Sequence, residues 1–273
     1  MYFMKALIDF CLVLLLIRLL IRPNEAYFDP IYRLIYRITD PILVPVRYIT
    51  RHLNKGILLI LLALVLLRGL VYSGLGAMSL RAGVGISFLA LFQLLFQAYM
   101  VMWFVSLLSG RSFGTSFLNL IQRAFSPLYR ISGRFGVQRA RFHLFAFLFL
   151  WVLYACLSTL IRYGMIPGAM ASHLSPFYGF AEGLILVVGL FPFPGFFSLV
   201  IIAGALISWV NPDPSNSIVQ AIYGISEPLL VPIRRYMPLL AGIDFSPIVA
   251  LIGFQILGAL VHQLIAAFMR GVL

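Results

Sequence analysis

Six long runs of apolar residues recur along the chain, and each is close to the length of one bilayer crossing. The runs are Leu7–Ile21, Ile57–Tyr72, Ile86–Leu108, Phe142–Ile161, Phe196–Val210 and Ile248–Phe268. A helix needs about 20 apolar residues to cross the hydrocarbon core, so the pattern predicts an all-α membrane protein with about six transmembrane helices. The fifth run is short. Residues 177–195 before it either continue that span, lie in the interface or re-enter the membrane.

The segment between the last two runs, Asn211–Pro247, has a different pattern. Its apolar residues recur at the spacing of one helix face: Ile218, Ala221, Ile222 and Ile225. A proline disfavours the helical conformation of the residue before it, so we expect this helix to end before Pro228 and Glu227 to cap a second short helix. Ser246 and Pro247 repeat the signal before the last run. We interpret the segment as an amphipathic connector at the membrane surface.

The first connector repeats the last one. Ile31–Arg47 aligns without gaps on Ile218–Arg234, and nine of the 17 positions are identical. The aligned motif residues are Asp40, Pro41, Pro45 and Arg47 on one side and Glu227, Pro228, Pro232 and Arg234 on the other. A fainter copy follows the first by 86 positions, with Ser126 and Pro127 in the motif. The repeat predicts three tandem units of helix, connector and helix: 1–75, 76–165 and 166–273.

Composition agrees with a membrane protein. The chain is 62% hydrophobic and 10% charged, whereas a soluble domain has about 25% charged residues. The net charge of +12 raises the question of nucleic acid. Because the basic residues flank apolar runs, anionic lipid headgroups explain the charge better, and we expect no nucleic-acid partner. Cys11 and Cys156 are distant and lie in apolar runs, which argues against a disulfide framework or a thiolate metal site and favours a role as small buried apolar residues.

The distribution of Lys and Arg predicts the topology. The three connectors carry 14 of these residues and the opposite side carries five: Lys5, Arg68, Arg81, Arg162 and Arg270. Cytoplasmic loops are enriched in Lys and Arg. We therefore expect an inner-membrane protein with cytoplasmic connectors and both termini in the periplasm.

The last unit resembles the YggT family of integral membrane proteins, whose plastid and Gram-positive relatives are called YlmG. The resemblance rests on five segments in order: Ser208–Pro212, Glu227–Leu230, Pro232–Arg235, Pro238 and Gly242–Pro247. The first unit carries the same pattern up to Arg47, and the middle unit is additional or diverged. The resemblance implies no enzymatic activity. It implies a link to osmotic stress, with a proposed role in potassium uptake, or to membrane-associated assembly, nucleoid distribution and division.

Several charged residues are candidates for function. Arg47, Arg234 and Arg235 could bind lipid phosphate or an acidic partner segment, or could only set the topology. Asp40 and Glu227 are expected to cap helices, with a role as functional carboxylates that carry ions as the alternative. Asp244 is expected to pair with Arg234 or Arg235, with ion binding as the alternative.

Two ionisable residues lie within the first span. Asp9 is expected to pair with Lys5 one turn earlier. Arg18 either snorkels towards the connector or has a function in the membrane. The chain's four His are scattered, and nucleotide-binding and hydrolase motifs are missing from the sequence, so we expect no metal, no cofactor and no enzyme.

The leading hypothesis is a non-enzymatic membrane protein whose connectors engage lipids or partner proteins. The alternative is a component of a pathway for potassium or another small solute. Homo-oligomerisation stays open.

Overall fold

A computed structural model gives the fold of the chain. It describes residues 2–22, 24–25, 30–48, 50, 52–76, 78–108, 115–166, 176–210, 213, 216–237 and 244–272. Ten α-helices and no strand occur in these residues, which confirms the all-α prediction. The helices are α1 (Tyr2–Leu20), α2 (Pro30–Arg47), α3 (Leu53–Leu75), α4 (Leu80–Leu108), α5 (Thr115–Arg134), α6 (Phe142–Met165), α7 (Pro176–Val188), α8 (Phe196–Val210), α9 (Ser217–Arg234) and α10 (Ser246–Val272).

Four helices of the described chain are long and apolar enough to cross a membrane. They are Leu53–Gly74, Leu80–Leu108, Phe142–Met165 and Ser246–Arg270. The first apolar run forms α1, and the fifth forms α8, which has 15 residues. The chain is therefore a multi-pass membrane protein by helix length and composition.

The helices group into two compact units. The first comprises Met1–Phe92 and Leu160–Met170, and the second comprises Gln93–Thr159 and Ala171–Leu273. In the first unit, α1, α2 and α3 pack on one another. The buried side chains at their contacts include Leu12, Leu15, Leu43, Ile57 and Val65.

An aromatic-rich core organises the second unit. Its buried residues come from α4, α5, α6, α7, α8 and α9 and include Phe96, Met100, Phe125, Phe142 and Phe197. The aromatic rings pack edge to face or stacked, as in the pairs Phe104–Phe197 and Phe96–Tyr154. Such pairs add stabilisation beyond the burial of their area. This core holds α7 against α6.

α7 and α8 lie end to end along α10 and run in the opposite direction. Val188 of α7 lines a pocket of about 250 Å³ with His262, in the later half of α10. Ile201 of α8 instead packs with Ala250, near the start of α10. Residues 176–210 therefore form a broken helix beside the continuous helix α10. Residues 177–188 thus extend the fifth run and do not fold back along α8.

The break between the two helices, Gly189–Gly195, lies beside the middle of α10. A Cβ on Gly258 would collide with the ring of Pro192, so only glycine allows this approach. The Phe193–Pro194 peptide bond is cis. The carbonyl of Leu190 accepts the N–H of Phe197 at 2.9 Å, and that of Phe191 accepts the hydroxyl of Ser198. The break is thus closed by hydrogen bonds inside the protein.

The prediction that prolines end the connector helices is wrong. α2 continues through Pro41 and Pro45, and α9 continues through Pro228 and Pro232. Each proline removes one amide donor and opens the helix on the side of its ring. Pro41, Pro45 and Pro232 are exposed, so the carbonyls that lose a donor face the surroundings and not the core. The helix tolerates a proline on its exposed side, whereas it would not tolerate one on its packed face.

Candidate functional site: the connector helices and their ion pairs

Arg234 at the end of α9 lies between two carboxylates. Its Nη1 donates to Glu227 Oε2 at 2.6 Å, and its Nε donates to Asp244 Oδ2 at 2.8 Å. Glu227 lies two turns earlier on α9, and Asp244 lies just before α10. The predicted pairing of Asp244 is therefore confirmed with Arg234, and the guanidinium joins α9 to the start of α10.

Asp244 also caps α10. Its Oδ1 accepts the backbone N–H of Ser246 at 2.9 Å. Burial alone would raise the pKa of the Asp244 carboxyl, but hydrogen bonds from Ser246 and Arg234 outweigh burial and lower that pKa. The expected cap, Ser246, is instead the first residue of α10, and Pro247 follows in the first turn. A proline is tolerated there because its missing amide has no partner within the helix.

Arg18 of α1 is buried against α2. Its guanidinium donates to Asp40 Oδ1 at 2.7 Å, to the Thr39 hydroxyl at 2.6 Å and to the Tyr36 carbonyl at 3.1 Å. It also lies 3.9 Å over the centre of the Tyr36 ring, a cation–π contact. Arg18 therefore does not snorkel to water, and Asp40 does not cap a helix. The two side chains join the first span to its connector.

The aligned acids Asp40 and Glu227 each pair with an arginine, but with arginines from different elements. Asp40 pairs with Arg18 of the neighbouring span, whereas Glu227 pairs with Arg234 of its own helix. The hydroxyl residue before each acid, Thr39 or Ser226, is buried.

Ser226 sets the distance between α8 and α9. A Cβ on Gly204 of α8 would lie 3.0 Å from the Ser226 hydroxyl oxygen. A small residue on each helix therefore allows the close approach of the connector to the span, as small residues do between membrane helices generally.

Asp9 pairs with Arg68 of α3, and the predicted Lys5 pairing is wrong. Arg68 is 1% exposed, and its Nη1 donates to Asp9 Oδ1. Its other nitrogens donate to the Ser87 hydroxyl at 3.0 Å and to the Ser87 carbonyl at 2.5 Å. An ionised side chain within apolar helices requires such partners. The ion pair therefore joins two helices, α1 and α3.

The outer face of the connectors is basic and aromatic. α2 and α5 each end in an arginine that is followed by a highly exposed aromatic residue: Arg47 and Tyr48, Arg134 and Phe135. After the end of α9, the C-cap residue Arg235 is followed by the highly exposed Tyr236. Arg235 is exposed and takes no part in the ion pairs of Arg234. The side chain of Arg47, and Gly242, lie outside the described part of the chain.

One acidic residue of an apolar helix was missed by sequence reasoning. Glu182 of α7 contacts Gln93 of α4 and Tyr154 of α6. The available signal was a single carboxylate in the turn just before the apolar stretch Leu184–Phe193, with Gly179 before it and Gly183 after it. Among the described residues, the structure brings no three His, Cys, Asp or Glu together as a metal site.

The sequence of residues 183–265 matches the CCB3/YggT family model. This region contains the end of α7, the break between α7 and α8, α8 itself, α9 with its ion pairs, and most of α10. Through this region, the chain is similar to the CCB3/YggT family.

The relatives of the chain are described as uncharacterized. One from Haemophilus influenzae is 39% identical over 92 residues, which cover 32% of this chain and 47% of the relative. One from Pseudomonas aeruginosa is 39% identical over 31% of this chain and 42% of the relative. Uncharacterized protein YggT from Escherichia coli is 34% identical over 25% and 36%. The chain thus matches less than half of each relative's length. No solved structure matches it.

Proposed function

We propose that this protein is a non-enzymatic, multi-pass protein of the inner membrane whose connector helices lie along the membrane surface and bind anionic lipid headgroups. The observation that carries this proposal is the exposed aromatic residue beside arginine at the end of α2, α5 and α9. Tyr48 is 89% exposed, Phe135 72% and Tyr236 87%. Tyrosine and arginine are the side chains that anchor helices at the level of the headgroups.

The two faces of α5 support the same orientation. One face buries Leu120, Ala124 and Leu128 in the protein core. Arg130 and Arg134, one turn apart on the exposed side, face outward. We infer that a helix with this division lies flat at a lipid boundary, with its apolar side covered by the protein and its cations towards the phosphates. α2 likewise exposes Arg33 and Arg37.

The pair Arg234–Arg235 separates two roles. Arg234 is neutralised by Glu227 and Asp244, so it stabilises the fold. Arg235 is directed outward, and we assign the contact with lipid phosphate to it. The same contact is proposed for Arg47, which precedes Tyr48.

The proposed topology has six crossings: α1, α3, α4, α6, the broken helix α7–α8, and α10. With six crossings in three hairpins, all connectors lie on one side. The 14 basic residues of the connectors, against five on the other side, support a cytoplasmic position for the connectors and a periplasmic one for both termini.

A lipid-competition experiment tests the proposal. Purified protein in detergent is titrated with phosphatidylglycerol or phosphatidylcholine of equal chain length, and bound lipids are counted by native mass spectrometry. Each arginine near an anionic surface contributes about 1 kcal/mol, so Arg235→Gln should weaken phosphatidylglycerol binding about fivefold, and adding Arg130→Gln and Arg134→Gln should weaken it further. Phosphatidylcholine binding should not change.

Arg270→Gln is the matched control, because Arg270 is exposed near the end of α10, on the predicted opposite side. Equal affinity for both lipids, or an unchanged preference in the triple variant, would overturn the proposal. If a protein crosslinks to the wild-type connectors but not to those of the triple variant, and the lipid preference is unchanged, then the connectors bind a protein partner and not a lipid.

The alternative is a transport component for potassium or a similar solute, and the broken helix is the observation that favours it. Discontinuous helices near the middle of the membrane often form ion sites. Here, however, the carbonyls of Leu190, Phe191 and Phe193 accept hydrogen bonds from Phe197, Ser198 and Gln255. Lipid binding therefore has the better support. Potassium flux through purified protein in vesicles would reverse that preference.

The cellular role is proposed from the family resemblance. We expect a strain without the protein to survive osmotic upshift poorly or to assemble membrane-associated complexes poorly. The wild-type gene should restore growth, and the triple arginine variant should restore it less well if lipid contact is the relevant activity.

A further inference from the structure

The side of α10 that faces away from the rest of its unit carries a polar side chain. α10 packs on α7, α8 and α9, and its packed side includes Ala250, Gly258 and Ile265. Exposed residues follow one another on the opposite side at alternating steps of three and four: Val249, Ile252, Ile256, Ala259, Gln263 and Ala266. These six residues are the outer stripe of α10. Their spacing is that of the seam along which two helices pack side by side.

The amide of Gln263 lies at the depth of the lipid acyl chains. α10 is a candidate span that ends at Arg270, and Gln263 precedes this end by about 10 Å along the helix. Within the described part of the chain, the Gln263 amide has no hydrogen-bond partner. Acyl chains offer none, and an amide without a partner in an apolar medium is costly. The amide therefore needs a partner from another helix.

The other candidate spans show how this protein builds a side that faces lipid. α3 exposes a set of leucines: Leu58, Leu59, Leu62, Leu66, Leu67 and Leu70. α6 exposes residues of the same kind: Leu144, Leu148, Val152, Leu153 and Leu160. Among the described residues of the candidate spans, exposed Gln and His side chains between the terminal turns occur on α10 alone. The outer stripe thus differs from the lipid-facing sides of α3 and α6.

A second copy of the chain is the partner that fits the outer stripe. A primary amide has both N–H donors and a carbonyl acceptor, so two Gln263 side chains can bond to each other. All copies have the same orientation in the membrane, so in a two-fold pair each Gln263 meets its equivalent at the same depth. Ala259 and Ala266, one turn away on either side, are small enough to let the two helices approach.

We propose that two copies of this protein associate through the outer stripes of α10, with the two Gln263 amides hydrogen-bonded across the interface. Gln255 and His262 lie on a different side of α10, where they line the pocket beside α7, so they take no part. The pairing brings two Arg270 side chains towards each other in the last turn of α10, where water and salt screen their repulsion.

Dilution of the full-length protein in lipid vesicles tests the proposal. Copies labelled at one terminus with a donor or an acceptor fluorophore are reconstituted at falling protein-to-lipid ratios, and energy transfer gives the dimer fraction. One hydrogen bond between membrane helices changes affinity about three- to thirtyfold, so Gln263→Leu should weaken association by that factor. Gln263→Asn keeps an amide and should retain most of the affinity. Gln255→Leu is the matched control, because it makes the same change on another side of α10, and it should leave association unchanged.

Cysteine crosslinking locates the interface on α10. In a chain without its native cysteines, Ile252→Cys and Ala266→Cys should each give a disulfide-linked dimer on mild oxidation in membranes. Leu257→Cys and Leu264→Cys are the controls, since both positions are as exposed as Ile252 but point about 120° away from the outer stripe. These two variants should give little dimer.

Three results would overturn the proposal. The first is energy transfer no higher than chance encounters give at every protein-to-lipid ratio, which would leave the stripe to lipid or to a foreign helix. The second is a dimer that crosslinks through Leu257→Cys or Leu264→Cys and not through the stripe. The third is an affinity that Gln263→Leu does not change. Gln263→Leu should keep the lipid preference assigned to Arg235, so the two proposals can fail separately.

Discussion

Two arginines in the described chain are buried while their acidic partners are not. The Arg18 side chain is 2% exposed and the Asp40 side chain 45%. The Arg68 side chain is 2% exposed and the Asp9 side chain 29%. Because an uncompensated buried charge is far more costly than a solvated one, removal of the acid should destabilise each pair more than removal of the arginine.

The first prediction concerns Arg18 and Asp40. Asp40→Asn should destabilise the protein by about 3–5 kcal/mol, because Arg18 remains charged and buried. Arg18→Gln should cost about 1–2 kcal/mol, because Asp40 can be partly hydrated. The double variant should be more stable than Asp40→Asn alone. Thermal unfolding in detergent measures the order, and a reversed order would contradict the asymmetry.

The second prediction compares two adjacent arginines. Arg234→Gln leaves Glu227 and Asp244 without their shared cation, so it should destabilise the protein by about 1–2 kcal/mol after allowance for solvent screening. Arg235→Gln should leave the unfolding temperature unchanged. Each variant is the control of the other, and equal effects would show that the ion pairs do not stabilise the fold.

The third prediction concerns acid. The pKa of Asp244 in the folded protein is below its ordinary value of 3.8. The stability that the carboxylate contributes is therefore fully present above pH 3.8 and is lost as the pH falls below it through the folded pKa. Asp244→Asn should remove the loss of stability that protonation of Asp244 causes at low pH. Near pH 7, stability should not depend on pH through this residue in either protein. Unfolding temperatures measured from about pH 2 to pH 7 would test it.

At the scale of the helices, glycine decides where two elements touch. Gly179 faces the backbone of α6, whereas a Cβ on Gly253 of α10 meets no atom within 4 Å. The two positions differ in packing but share a helical backbone.

The fourth prediction uses this contrast. Gly179→Ala should destabilise the protein by about 1–3 kcal/mol, because α7 must move away from α6. Gly253→Ala should be neutral or stabilising by up to about 1 kcal/mol, since alanine favours the helix. Thermal unfolding of the two variants provides the test. A stable Gly179→Ala variant would mean that the contact is loose.

Local pattern predicted the elements better than their contacts. The apolar runs, the face of the last connector and the pairing of Asp244 with Arg234, only 10 residues away, were predictable. The Arg68–Asp9 pair joins residues 59 positions apart, and no local spacing signals it. The continuous connector helices were missed because the effect of a proline depends on which face is exposed, which only the packed structure shows.

At the scale of the whole molecule, the topology is the most direct test of the connectors. The fifth prediction is that Tyr48→Cys, Phe135→Cys and Tyr236→Cys react with a membrane-impermeant maleimide only when the cytoplasmic face is accessible. Met78→Cys, between α3 and α4 and 49% exposed in the wild type, should react only from the periplasmic side. Reaction of any two connectors from opposite sides would refute the six-crossing topology.

The background for this experiment lacks the native cysteines, which are replaced in Cys11→Ala and Cys156→Ala. Cys156 is exposed on α6, but we expect it to face lipid, so the maleimide should not reach it even in the wild type.

The break between α7 and α8 has a geometric consequence. In a continuous helix, adding one residue turns everything beyond it by about 100°, so the two ends cannot be oriented separately. Gly189–Gly195 uncouples the rotation of the two halves. The side of α7 that turns Glu182 towards α4 and α6 can therefore vary independently of the side of α8 that turns Gly204 towards Ser226. Both helices still lie beside the same partner, α10.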